Sequence, residues 1–278
     1  MDEPTALRHL VPPAASSAQN EAARKTWREK VRAVAARSEF TPAPLQEAAA
    51  EVNPDAAEAA ATFMKREDAA PYRRNWEIRM IDLTAAVAIQ KSLVIGSWHE
   101  RLTSSPPRGP SELFEICFPR SDGAHAPMGV VDGGGIAYSS YSPNLRVAAR
   151  TSMVQQIPVG DGGEPRQARF VGFEINFGSP FVHAVEHHGR LILRNGYHRC
   201  YSLLALGIAR VPCLFASNAK SAGGECSNDA AFFNATEILG PRPPMVRDFH
   251  DPGVAHLGTR AAMRKVVRIV ADEYYVEA

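Results

Sequence analysis

The chain has 278 residues, 45% hydrophobic and 22% charged, a balance that suits a globular protein with one substantial domain plus appendages, or two small ones. Its 31 basic and 30 acidic residues leave a net charge of +1, so the molecule as a whole is no polyanion binder and a nucleic-acid surface would have to be a local patch. Cys117, Cys200, Cys213 and Cys226 are widely spaced without a CxxC pair, which fits reduced thiols better than a secreted disulfide framework. The first residues are acidic and lack an apolar core of signal-peptide length. No run approaches the roughly 20 apolar residues that span a bilayer, so a cytoplasmic location with no membrane partner is expected.

Residues 1–20, rich in Ala, Pro and Ser, are expected to form a disordered tail. From Asn20 to Arg37 the spacing predicts a helix with Trp27, Val31 and Val34 on one face. Arg24, Lys25, Arg28, Lys30 and Arg32 surround that face. Such a charge run is usually solvated surface, and contact with nucleic acid or an acidic partner is the alternative. Thr41-Pro42 and Asn53-Pro54 each place a capping side chain before a proline, predicting helices over 42–52 and 54–66. Their buried side would carry Leu45, Val52, Phe63 and Met64. The remainder is largely alanine, which favours helix but buries little, so residues 21–72 read as a helical extension and an accessory layer that a protein partner could engage.

Trp76 to Leu83 alternates as a half-buried strand does, and Thr84 could cap a helix over 85–95. A Pro/Gly/Ser-rich loop covers 96–111, and Leu113–Phe118 reads as a strand. Residues 128–131 and 136–138 read as a hairpin joined through Asp132-Gly133-Gly134-Gly135. That glycine run lacks the Lys-Ser/Thr of a Walker loop and is better taken as a flexible tip. A loop over 160–167 precedes the alternating strand Phe173–Phe177, and Phe181–Val185 is a further strand ending in the turn His187-His188-Gly189.

The chain is organised around Arg190–Phe215. Leu191–Leu193 enter Asn195-Gly196, helical spacing starts at His198, Gly207 marks the stop, and Val211–Phe215 is a strand that Pro212 places at a sheet edge. A glycine at a strand-to-helix corner lets backbone N–H groups approach an anion, and His198 and Arg199 could add charge and hydrogen bonds. Beyond it, 217–229 is a loop, prolines break 241–244, and 266–270 is a final strand. His183 and His187 sit four apart on a strand, where that spacing does not converge on a metal, so no metal-ligand cluster is expected. His198 could donate to a phosphate or serve as acid or base, against the alternative of a helix-start residue bonded to local backbone.

The run from Asn195-Gly196-Tyr197-His198-Arg199 through the helix, Leu206-Gly207 and Val211-Pro212 resembles the ParB/sulfiredoxin-like domain family. Phe181–Val185 resembles that family's preceding strand, and Trp76–Ile95 its opening strand and helix. The resemblance implies an α/β (α+β) fold with a mixed sheet and helices. The core would span 73–216 with a β-rich insertion at about 96–168, preceded by the helical extension and followed by a C-terminal extension over 217–278.

It also implies that Asn195, Gly196, Tyr197, His198 and Arg199 line a phosphate pocket for ATP or another nucleoside triphosphate with Mg2+. Tyr197 stands where sulfiredoxins carry cysteine, so their thiol chemistry is not expected. Cys200, one residue past the His-Arg pair, is more simply a packed thiol. The proline-broken tail holds no helix pair of the kind that follows the domain in partitioning proteins, which disfavours nucleic acid as a partner. The branch resembling free-serine kinases implies a carboxylate base. Glu174 is the first candidate, Asp82 and Glu186 are rivals, and an exposed strand residue is the alternative for Glu174. The leading expectation is an enzyme that transfers a phosphoryl group to a small-molecule acceptor or hydrolyses the triphosphate, with His198 and Glu174 catalytic. The alternatives are a non-catalytic nucleotide-gated binding module and, third, a DNA-binding regulator using Arg24 to Arg32.

Overall fold

A computed structural model describes residues 2–11, 15–120, 129–132, 134–140, 145–159, 163–177, 181–217, 231–259 and 264–271. In chain order the elements are α1 (Glu3–Leu10), α2 (Ser17–Ala35), α3 (Leu45–Ala48), β1 (Ala49–Glu51), α4 (Pro54–Lys65), β2 (Glu77–Asp82), β3 (Val87–Ala88), α5 (Ser97–Ser104) and α6 (Pro110–Cys117). There follow β4 (Gly129–Asp132), β5 (Gly135–Ser140), β6 (Leu145–Val159), β7 (Gly163–Phe177), β8 (His183–His187), β9 (Arg190–Asn195), α7 (Tyr197–Ala205), β10 (Arg210–Ala216), α8 (Ala235–Leu239) and β11 (Lys265–Val270). The class is mixed α/β, as expected. The chain divides into two compact units, Met1–Arg120 with Phe181–Thr259, and Ser121–Pro180 with Arg260–Ala278. The inserted unit thus starts later than the expected residue 96, and it recruits β11 from the C-terminal extension. Among the described residues no helix is long and apolar enough to cross a membrane.

The first unit holds a six-stranded mixed sheet in the order β1-β2-β10-β8-β9-β3. β10 runs parallel to β8 and β3 parallel to β9, while the other neighbours are antiparallel. The β8–β9 hairpin turns through His188 and Gly189, both at positive φ (52° and 71°), the backbone of a two-residue turn that follows the sheet's twist. Phe63, Phe114, Phe181, Leu193, Cys200, Leu203 and Leu214 belong to the larger core cluster; Val87, Val185, Ile192, Ala216, Ile238 and Met245 form a smaller one.

Several expectations are corrected. The segment expected to be a disordered tail carries α1, whose first turn is capped by Asp2, its Oδ1 accepting from Thr5 N–H at 2.8 Å. The helix expected over 42–52 shrinks to α3, because β1 leaves it to pair with β2 (Ala49 opposite Ile81). The N-terminal third is no accessory layer. Ala48, Ala49, Ala56, Phe63 and Ala69 are core, and small side chains there allow close approach rather than signifying little burial.

Residues 85–95 are not helical, since Asp82 Oδ1 takes both the N–H and the hydroxyl of Thr84 in a tight turn that leads into β3. Leu113–Phe118 is not a strand: Pro110 opens α6, and its inward residues Phe114 and Cys117 sit three apart. β7 begins at Gly163, inside the expected 160–167 loop, while 160–162 lie outside the described residues. So does the loop expected at 217–229 from residue 218 on.

Pro212 lies on an interior strand. Leu214 N–H donates to Val182 O at 2.9 Å, and residues two apart face the same side of a strand, so Pro212 faces past His183, the first residue of β8. No ladder bond is lost there.

The basic helix α2 buries only Ala23 and is tied to the chain's later part. Arg37 bridges Asp248 (2.8 Å) and Asp251 (2.6 Å), Lys30 Nζ donates to Pro252 O, and Arg24 pairs with Glu3 at 3.1 Å. Of the helix's own basic side chains, Arg24 and Lys30 are thus engaged within the first unit.

Within the second unit β11, β5 and β4 make a three-stranded sheet, and β6 with β7 a two-stranded ribbon. The expected hairpin of residues 128–138 and the expected final strand correspond to β4–β5 and β11, with residues 128 and 133 outside the described set.

Candidate functional site

The corner between β9 and α7 turns on Gly196, which has φ 93° and ψ 14°. That left-handed backbone is costly for a side chain. A Cβ would also lie 2.8 Å from Val182 Cγ2 and 3.1 Å from Val182 Cα. Gly196→Ala is expected to destabilise the first unit by about 2–4 kcal/mol, combining the αL penalty with overpacking against Val182 at the entry to β8, as read by urea titration. Arg199 and Cys200 N–H both bond to Gly196 O (3.1 and 2.9 Å), closing the first helical turn. The N–H groups of Tyr197 and His198 come before any intrahelical acceptor and project at the positive end of the helix dipole.

The motif's side chains divide sharply in role. Asn195 Nδ2 donates to Phe181 O at 3.0 Å and fastens the end of β9 to the segment entering β8. Tyr197 is buried; its hydroxyl donates to Leu193 O (2.6 Å) and accepts from Ile89 N–H (2.7 Å), stitching β9 to the segment after β3. Burial, its largest influence, pushes that phenol up, so it stays neutral.

Arg199 is only 6% exposed, and its Nη1 donates to Ile116 O (2.9 Å) and Cys117 O (3.3 Å), the last carbonyls of α6. Trp98 lies against its guanidinium at 5.3 Å. Cys200 is fully buried, and burial pushes its thiol up to about 12, which leaves it a packed thiol. His198 is half-buried, and no described residue hydrogen-bonds its imidazole. Burial first, and then the neighbouring Arg199 charge, holds its pKa below the ordinary histidine value, so the ring is neutral near pH 7.

Glu174 stands opposite Ala149 on the ribbon of the second unit, whereas the corner belongs to the first. Glu186 sits at the turn end of β8, opposite Leu191, and accepts from Gly189 N–H; the corner is at the other end, where His183 faces Asn195. Asp82 lies at the corner's end of the sheet, but three strands away, and holds Thr84. Magnesium takes oxygen ligands, in nucleotide sites commonly a carboxylate beside the phosphates. Residues 195–199 offer none, so the motif does not by itself make a magnesium site. Among the described residues no group of three His, Cys, Asp or Glu could hold a metal ion, and His183 and His187 occupy opposite ends of β8.

Two features escaped sequence reading. Arg66 grips the segment just after α6, donating to Phe118 O (3.1 Å) and Pro119 O (3.0 Å) while paired with Asp68. With Arg199 it makes a double clamp on the carbonyls of residues 116–119. Tyr201, one turn beyond His198, stacks on His250 at 4.0 Å, with His99 at 5.6 Å. No local spacing announces either, because their partners lie far along the chain. No family model, curated protein or solved structure matches the chain.

Proposed function

We propose that the β9–α7 corner binds the phosphates of a nucleoside triphosphate. On this reading the chain is a nucleotide-binding protein of the ParB/sulfiredoxin-like type. One observation carries it: Gly196, held at positive φ against Val182, presents the Tyr197 and His198 N–H groups beside a neutral imidazole with no described hydrogen-bond partner. The phosphates would accept from these two N–H groups and from His198. Arg199 would act mainly by fixing α6 behind the corner, and Asn195 and Tyr197 by fixing β9. Binding without chemistry, in a nucleotide-gated module, is the simpler form, because the residues around Gly196 supply donors rather than a carboxylate base. Phosphoryl transfer is the second reading, and the neutral His198 favours it as an acceptor for a hydroxyl proton.

A thermal-shift series with nucleoside triphosphates tests the reading. Ligand at a hundredfold excess over its Kd should stabilise the protein by about 2.7 kcal/mol. His198→Ala is expected to lose most of that shift while melting normally without ligand. No shift with any nucleotide, or an undiminished shift in the variant, refutes the assignment. Product formation by the wild type but not the variant would select transfer over gating.

A further inference from the structure

The first turn of α7 is flanked by a stack of flat rings. Helix residues three apart are neighbours, and a helical side chain leans over the turn before its own Cα, so Tyr201 lies along the turn that carries His198. The helical turn Val246–His250 runs beside it. Phe249 meets Tyr197 edge-on at 6.1 Å, and His250 lies flat on Tyr201, with ring centroids 4.0 Å apart and planes 11° from parallel. His250 Nε2 donates to Tyr201 O at 2.9 Å, which fixes the imidazole's orientation, and His99 packs on Tyr201 from α5 at 5.6 Å. One face of the His250 ring is thus covered, yet the residue is exposed, and among the described residues no second aromatic ring packs on it. Burial, the largest influence, holds its pKa below the ordinary histidine value, so near pH 7 the ring is neutral.

We propose that His250 is the nucleobase platform of the corner: the base of the nucleoside triphosphate stacks on its outer face and continues the Tyr201–His250 stack, while the phosphates reach the Tyr197 and His198 N–H groups. The inference rests on the reading of the corner as a triphosphate site. Tyr201 follows those two N–H groups by three or four residues, about 4.5–6 Å along the helix axis, so platform and phosphate donors lie side by side on one turn. The platform is preorganised, because its two rings are already parallel and the Nε2 bond holds them so; a base added to it orders little else. Stacking uses the flat face that every base presents. The site therefore takes purine and pyrimidine nucleotides alike, purines more tightly because two fused rings cover more of the platform.

Titration calorimetry on the full chain with ATP, CTP and inorganic tripolyphosphate tests this. Wild type should bind ATP at least about fivefold more tightly than tripolyphosphate, with CTP between them. His250→Ala should lose that advantage while binding tripolyphosphate as wild type does. His250→Phe, which keeps a flat ring without the Nε2 donor, should retain most of it. His198→Ala should weaken all three ligands alike. A wild type that binds ATP no better than tripolyphosphate, a His250→Ala variant that keeps the advantage, or a His250→Phe variant no better than His250→Ala overturns the platform and leaves the phosphate corner standing. Tripolyphosphate binding lost in His250→Ala also overturns it, since the ring would then only hold the corner's shape. A wild type that binds none of the three overturns corner and platform together.

Discussion

Phe63→Ala is expected to cost about 3–5 kcal/mol, the largest effect of any single truncation considered, and so a third or more of a typical domain's stability. Phe63 is 1% exposed, and its ring lies 4.5 Å from Phe118, 4.9 Å from Phe181 and 6.3 Å from Phe114. It is where α4, the end of α6 and the entry to β8 meet, so its removal opens a cavity no single neighbour can fill. Urea unfolding followed by tryptophan fluorescence reads the effect cleanly, because Trp27, Trp76 and Trp98 all lie in the first unit. Phe63→Leu, keeping most of the volume, should cost less than half as much. A Phe63→Ala variant as stable as wild type would mean that the N-terminal third is only an accessory layer after all.

Arg199→Met is expected to destabilise the first unit by about 2–4 kcal/mol. Its stem would still pack, but the buried carbonyls of Ile116 and Cys117 would lose the Nη1 donor they share. The sequence motif alone suggests a different outcome, in which Arg199 meets phosphate and its loss hurts ligand binding with little effect on folding. The two outcomes separate in one pair of measurements, the urea midpoint without nucleotide and the nucleotide-induced shift. An unchanged midpoint would show the clamp to be dispensable. A lowered midpoint, together with a normal shift in protein that remains folded, would assign the motif's phosphate contacts to the backbone and His198.

The part of the fold legible from sequence was the part whose determinants are local. Gly196, the helical spacing after it, Gly207 and the Val211–Phe215 run all declare themselves within a few residues, and β9, α7 and β10 follow them. Where long-range pairing decides, local pattern misleads. Val87 and Ala88 are strand because β9 lies beside them, in a stretch whose alanines favour helix. Leu113–Phe118 is too short an apolar run to show its period, and it is helix because Pro110 starts one and two arginines hold its end.

The candidate site divides the same way. The glycine corner could be read; the destinations of Tyr197 and Arg199 could not. Ile89, Ile116 and Cys117 are brought to them only by the folded sheet.

The double clamp at residues 116–119 also says something about how this chain tolerates change over generations. Val182 N–H, on the way back into the sheet, bonds Cys117 O, on the way out, at 3.1 Å. Departure and return are therefore stitched together by groups of the first unit, whatever is threaded between them. Closing a longer flexible excursion costs only about 0.6 kcal/mol per doubling of its length. The junction is a socket in that sense: lengthening or trimming the stretch it carries is expected to leave β10, β8 and β9 in register, as urea midpoints of such variants would read.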